Sequence, residues 1–211
     1  MRSSLVPVGG DRPAFRLITT LSFVSLLLVS AAPLSAQFWA DSSKIVRRPQ
    51  EAGARVYKGR YAGVYFEILP DNAAWFNHYP GYTVQPLWSA TCKEDAITDV
   101  FSCAITNRSG GLLIVKDEGL QSFVAIGKDH FPGSRVFARV DGGGPFASDD
   151  FGWVGDEAKA VIQAMTGGSE AVLRYTEWPY RTPKDIEVDL FGLGVAVRYV
   201  DEVLGARTAE P

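Results

Sequence analysis

The 211-residue sequence is poor in the side chains that most enzyme active sites use. It has two cysteines and two histidines, His78 and His130, and it contains no G-x-S-x-G, H-E-x-x-H or C-x-x-C motif. Serine hydrolases of the nucleophile-elbow type, zinc proteases and thiol oxidoreductases depend on those motifs. We therefore expect no catalytic residue, no metal site and no cofactor, and we interpret the chain as a non-enzyme.

One enzymatic alternative stays open, a secreted carboxylate-dependent hydrolase such as a glycosidase. Its two acidic residues need no fixed spacing along the sequence, so the absence of a local motif does not count against it. A cleft that holds two facing carboxylates, one of them in an apolar setting, would favour this reading.

The chain also lacks a strong basic cluster. Arg47 and Arg48 form its most basic stretch, and the formal net charge is −3. Nucleic acids and anionic membrane surfaces are bound through clustered lysine and arginine. We therefore expect neither as a partner, and predict an unknown ligand or an envelope or surface protein instead.

The first 36 residues are typical of a secretory signal peptide. Three arginines precede an apolar run from Leu17 to Leu34, and Leu34-Ser35-Ala36 forms a small-residue cleavage pattern before Gln37. An uncleaved anchor is the alternative, although six Ser, Thr and Pro residues dilute the run. Cleavage changes the formal net charge to −5, because residues 1–36 hold three arginines and one aspartate. The sequence thus predicts a periplasmic or secreted protein, monomeric and with no membrane span after cleavage.

Cys92 and Cys103 are the only cysteines, and both are flanked by residues typical of strands. The polar segment between them predicts a turn, so a disulfide that closes a β-hairpin is the simplest interpretation. Such a bond persists in an oxidising compartment, which agrees with export.

Short segments rich in β-branched and aromatic residues recur along the chain between glycine and charged turns, which is typical of a sandwich or barrel. Beyond the cysteine hairpin they are residues 54–61, 63–69, 112–115, 121–126, 135–140, 170–176 and 185–190. Asp185-Ile-Glu-Val-Asp-Leu190 alternates acidic and apolar residues, and we interpret its carboxylates as a solvated strand face. Asp141-Gly-Gly-Gly-Pro145 has no following P-loop lysine and predicts a tight turn.

Two segments have helical periodicity instead. Asp156 is the expected N-cap of the first, in which Ala158, Val161, Ile162 and Met165 share one face before Gly167 and Gly168 end it. Leu193 to Leu204 predicts a C-terminal helix. The predicted fold is mainly β: a jelly-roll-like β-sandwich with one helix inserted late and one at the C-terminus. The predicted divisions are a signal peptide (1–36), an N-terminal arm (37–53), a single domain (54–205) and a disordered tail (206–211).

Two aromatic segments interrupt these elements at proline-containing turns. Exposed aromatic rings offer a large contact area at low entropic cost, so both segments are candidate binding surfaces, although the rings could instead cover one end of the core. The candidate residues are Trp75, Phe76, His78, Tyr79 and Tyr82 in the first segment and Trp178 and Tyr180 in the second.

Several short motifs over residues 85–204 resemble the invasion-associated locus B family of secreted bacterial proteins. The motifs are Trp88-Ser-Ala-Thr-Cys92 with Cys103, Arg139-Val-Asp-Gly-Gly143, the segment 156–168, and the segment 185–196. Typical members carry a second cysteine pair at the positions that correspond to 145–154, where this chain has none, so the resemblance is that of a distant relative. It implies a periplasmic or surface-associated β-sandwich without established catalytic residues, and it supports the Cys92–Cys103 bridge.

Overall fold

The computed structural model describes residues 56–77, 87–119, 121–149 and 152–208. These residues belong to one compact unit, and they form two antiparallel sheets and two helices. The predicted mainly β fold, with one helix late in the chain and one at the C-terminal end, is confirmed. The predicted signal peptide and N-terminal arm lie outside the described residues.

Twelve strands and two helices follow one another in the described chain. The strands are β1 (Tyr57–Tyr61), β2 (Val64–Ile68), β3 (Ala74–Phe76), β4 (Trp88–Glu94), β5 (Phe101–Asn107), β6 (Leu112–Asp117), β7 (Ser122–Ile126), β8 (Val136–Val140), β9 (Phe146–Ser148), β10 (Trp153–Val154), β11 (Glu170–Glu177) and β12 (Thr182–Asp189). The helices are α1 (Gly155–Gly167), between β10 and β11, and α2 (Leu193–Thr208). Helix α2 continues past residue 205, where we had expected the tail to begin.

The large sheet has eight strands in the order β1-β2-β3-β4-β5-β6-β7-β10, and the small sheet has four in the order β12-β11-β8-β9. Consecutive strands are neighbours throughout most of the large sheet, so it is a meander, whereas a jelly roll is built from Greek-key crossings. Consecutive strands of a meander are joined by short turns, and β4 and β5 form one such hairpin. Cys92 and Cys103 lie directly opposite each other in that hairpin and form the predicted disulfide, with their Cα atoms 4.0 Å apart.

One face of the large sheet is apolar and buried. Val64, Phe66 and Ile68 on β2 are buried, whereas the alternating Tyr65 and Glu67 are only partly buried. The same two-residue period continues across the sheet to β7, because successive side chains of a strand point to opposite faces. The sheet therefore requires a cover on one side only.

Both helices pack against the large sheet, α1 near β7 and β10 and α2 near β3, β4 and β5. The buried residues of α1 are the four that the sequence predicts: Ala158, Val161, Ile162 and Met165. The predicted cap is wrong, because α1 begins at Gly155 and its N-cap position is Val154, without a side-chain hydrogen bond. Asp156 instead lies in the first turn, where the helix dipole stabilises a carboxylate. Its carboxylate pairs with the ammonium of Lys159 at 3.0 Å.

Trp88 connects the large sheet to the start of α2. Its side chain is fully buried, and its indole Nε1 donates a hydrogen bond to the carbonyl oxygen of Phe191 at 3.1 Å. The next residue, Gly192, has a φ of +91°, and a Cβ there would lie 3.4 Å from Val64. Glycine adopts this φ without strain, so the chain can turn into α2 directly above the Trp88 ring.

We expect the substitution Trp88→Phe to lower the free energy of unfolding by about 2–3 kcal/mol. The smaller ring leaves a cavity in the core, and the carbonyl of Phe191 loses its donor. Urea unfolding followed by circular dichroism measures the change. The matched control is Trp178→Phe at an exposed position, which should change stability by less than about 0.5 kcal/mol. Equal effects of the two substitutions would contradict the role given to Trp88.

Candidate binding surface

The two predicted aromatic segments differ in how far their described rings are exposed. His78, Tyr79 and Tyr82 lie outside the described residues. Trp75 and Phe76 belong to the short strand β3, where we had expected a turn, because they pair with both β2 and β4. Phe76 is only 1% exposed and contacts the ring of Tyr199, so it is a core residue and offers no binding surface.

Trp75 points to the opposite face of β3 from Phe76 and is partly buried. It lies between Glu67 on β2 and Ser89 on β4 in the cross-strand register. The first segment therefore divides its two described aromatic residues between the two faces of the sheet, because β3 is extended.

Trp178 and Tyr180 are exposed, as a binding surface requires. They lie in the turn that joins β11 to β12, and 52% and 74% of their surfaces are accessible. The peptide bond between Trp178 and Pro179 is cis. The amide of Tyr180 donates to the carbonyl of Glu177 at 3.1 Å, which closes the turn.

The segment that precedes β8 supports this turn from one side. The amide of Phe131 donates to the carbonyl of Thr176 at 2.9 Å, and the amide of Trp178 donates to the carbonyl of Asp129 at 2.6 Å. His130 and Glu177 form a β-bridge between these two bonds. Backbone hydrogen bonds thus fix the exposed rings on a short extension of the small sheet.

Three aromatic side chains and one cationic side chain lie at or beside this turn. The rings of Phe131 and Trp178 are 5.4 Å apart, and the guanidinium of Arg181 lies 4.5 Å from the centre of the Phe131 ring. Tyr180 completes the group at the tip of the turn. We call Phe131, Trp178, Tyr180 and Arg181 the hairpin-tip surface. Sequence reasoning missed Phe131 and Arg181, because their proximity depends on the pairing of the segment before β8 with β11.

Tyr175 forms the base beneath this turn. Its ring is almost fully buried, packs against Gly127 and stacks on the ring of His130 at 5.3 Å. Lys184 lies 5.9 Å above the same ring, and its ammonium pairs with Glu177 at 2.8 Å. The ammonium of Lys184 donates hydrogen bonds to Glu177 and to Tyr175, and these raise the pKa of Lys184. His130 is therefore a packed residue of this base, and its Nε2 contacts the carbonyl of Ile126.

The outward face of the small sheet carries charged pairs. Asp185, Glu187 and Asp189 are all exposed on β12, in agreement with the solvated face that the sequence indicates. The guanidinium of Arg174 on β11 donates two hydrogen bonds of 2.6 Å to Asp185. The paired Arg174 lowers the pKa of Asp185, and Asp185 raises that of Arg174.

Two carboxylates line a cavity of about 320 Å³ beside the last turns of α2. Asp201 pairs there with Lys116, and Glu118 accepts a hydrogen bond from the amide of Phe101 at 3.4 Å. Both acids are thus already bound to polar groups of the chain.

The described residues were also compared with the requirements of a metal site and of a membrane-spanning helix. They contain no cluster of three or more His, Cys, Asp or Glu side chains that could hold a metal ion. None of the helices among them combines the length and the apolar character needed to cross a membrane.

No protein-family model, no curated protein and no solved structure matches the chain. The resemblance to the invasion-associated locus B family is thus untested by these comparisons and stays a prediction.

The ion pair on β11 and β12 gives a prediction for titration. In the wild-type protein the carboxyl of Asp185 should titrate below its ordinary pKa, and Arg174→Gln should raise that pKa. The pair therefore contributes stability above the pKa of Asp185 in the unfolded chain, and this contribution is lost as the pH falls through the lower folded-state value. Carboxyl ¹³C NMR measures both titrations.

Arg60 provides the matched control for this titration. It is exposed on β1, at the edge of the large sheet farthest from β7, which contacts β11. Arg60→Gln should leave the Asp185 titration unchanged. An unchanged titration in Arg174→Gln would show that the ion pair does not form in solution.

Proposed function

We propose that this chain is an exported, non-enzymatic binding protein of the cell envelope, and that the hairpin-tip surface binds a protein partner. Export is supported by the predicted signal peptide and by the Cys92–Cys103 disulfide, which persists in an oxidising compartment. The resemblance to the invasion-associated locus B family, a family of exported proteins, agrees with this proposal.

The exposure of Trp178 and Tyr180 is the observation that carries the binding role. The core buries other large aromatic side chains almost completely, among them Trp88, Trp153, Tyr199 and Phe76. Among the described residues Phe191 is also exposed, but Trp178 and Tyr180 are the exposed aromatic pair that lies together in one turn. Adjacent exposed apolar groups of this kind mark interaction sites in folded proteins.

The composition of the hairpin-tip surface favours a protein partner. Tryptophan, tyrosine and arginine are the residues that most often dominate the binding energy of protein interfaces. Here Arg181 stands against Phe131 beside Trp178, and the backbone hydrogen bonds of Asp129 and Thr176 hold the turn before a partner arrives. A preorganised turn loses little conformational entropy on binding.

The hydrolase alternative lacks a supporting observation among the described residues. Glu118 and Asp201 share a cavity, but Asp201 is already paired with Lys116 and Glu118 with a backbone amide. We therefore do not propose it as a second function.

Site-specific photo-crosslinking in cells that export the protein tests the proposal. A photoreactive phenylalanine analogue replaces Tyr180, and in the control it replaces Ile97, which is 91% exposed in the turn between β4 and β5. We expect a discrete adduct with one protein from position 180 and none from position 97. Adding Trp178→Ala to the position-180 variant should reduce the adduct at least several-fold, because the partner loses a central contact.

Three outcomes would contradict the binding role. They are the absence of an adduct at position 180, the same adducts from positions 180 and 97, and an adduct that Trp178→Ala leaves unchanged.

A further inference from the structure

A groove of about 270 Å³ lies on the outward face of the small sheet, between β8 and β11. The described residues that line it combine two arginines with three apolar side chains: Arg139, Arg174, Phe137, Val172 and Pro145. This groove shares no lining residue with the hairpin-tip surface, and none of its lining residues is among the candidates predicted from the sequence.

The strand register explains why these residue types meet. Arg139 on β8 lies opposite Val172 on β11, and Phe137 lies opposite Arg174. Residues two apart on a strand share a face, so each arginine has an apolar neighbour both along its own strand and across to the next. The floor of the groove therefore alternates between charge and apolar surface.

The glycine-rich turn after β8 supplies the wall that contains Pro145. The carboxylate of Asp141 accepts hydrogen bonds from the amides of Ser169 and Glu170 at 3.0 Å. The amide of Asp141 donates to the carbonyl of Glu170 at 3.0 Å, and that of Gly143 donates to the carbonyl of Val140 at 2.8 Å. The turn is thus fastened to the start of β11, and the groove is formed before a ligand enters.

The positive charge in the groove is only partly neutralised. Arg174 directs its two-pronged hydrogen bond to Asp185, whereas Arg139 is exposed and makes no hydrogen bond or ion pair with any described residue. Two acidic residues lie near Arg139 on the same face. Glu170 is two residues before Val172 on β11, and Glu187 lies opposite Val172 on β12, where its backbone is two strands, or roughly 10 Å, from that of Arg139. Arg135 adds a further positive charge, with its guanidinium 5.6 Å from the Phe137 ring.

We propose that this groove binds a small organic monocarboxylate with an apolar body. The carboxylate would accept two hydrogen bonds from the guanidinium of Arg139, which has no hydrogen-bond or ion-pair partner among the described residues. The apolar body would cover Phe137, Val172 and Pro145. One unpaired guanidinium matches one carboxylate in two parallel hydrogen bonds. The apolar floor distinguishes such a ligand from a bare inorganic anion, which would leave Phe137 and Val172 uncovered.

The experiment titrates 4-phenylbutyrate into the ¹⁵N-labelled mature protein and follows the amide chemical shifts. We expect saturable shifts that cluster on β8 and β11. Arg139→Gln should weaken binding about tenfold, because it removes both the positive charge and the pair of parallel N–H donors. Arg139→Lys should weaken it less, because lysine keeps the charge alone.

Three controls define the specificity of the site. 4-Phenylbutanol has the same apolar body without the charge, and inorganic phosphate has charge without the apolar body, so both should bind at least tenfold more weakly. Arg60→Gln removes an exposed positive charge at the far edge of the large sheet and should leave the affinity unchanged. Trp178→Ala should also leave it unchanged, so this test is independent of the hairpin-tip surface.

The proposal would be overturned by shifts that do not saturate or that fall outside β8 and β11. It would also be overturned if the alcohol or phosphate bound as tightly as the acid, or if Arg60→Gln weakened binding as much as Arg139→Gln. Circular dichroism of each variant establishes that it is folded.

Discussion

The one-sided burial of the large sheet is the constraint on which the rest of the described structure depends. Its strands alternate apolar and more polar residues, so a continuous apolar face must be removed from water. Helices α1 and α2 supply the cover, and both present apolar stripes that are buried. The hydrogen bond from Trp88 to Phe191 fixes where the second of them begins. The helices leave the outward faces of the two sheets uncovered.

The small sheet shows what this arrangement makes available. Its inner face carries buried residues such as Ala138 and Leu173, whereas its outward face carries the arginines and the turn between β11 and β12 carries the exposed rings. The groove and the hairpin-tip surface both depend on β8 and β11 or on the segments next to them. The proposed binding groups are thus placed on a scaffold of backbone hydrogen bonds, which positions side chains more firmly than an isolated loop does.

Local periodicity predicted those parts of the fold that local sequence determines. Helix α1 was found because its apolar residues recur at 3.6-residue spacing, and the cysteine hairpin because only two cysteines are available. Strands β9 and β10 were missed because two or three residues are too few to show a period. Strand β3 was missed because the aromatic run resembled a turn, whereas pairing with β2 and β4 extends it.

The candidate sites were only partly accessible to the sequence for a related reason. Exposed Trp178 and Tyr180 could be proposed from a proline-containing aromatic turn. The contact of Phe131 with Trp178, and the meeting of Arg139 with Val172, arise from pairing between distant segments, which no local pattern encodes. Phe76 shows the opposite case. The sequence predicted it as part of a binding surface, but it is buried in the core, because its face of β3 points to α2.

The most direct test of the account, an exported and disulfide-closed binding protein, is the intact mass of the chain recovered from a periplasmic fraction. It should be measured after thiol alkylation, with and without prior reduction. The account predicts a mass that begins at Gln37 and alkylation of Cys92 and Cys103 only after reduction. A mass that includes residues 1–36, with both cysteines alkylated without reduction, would contradict export and the role of the disulfide together.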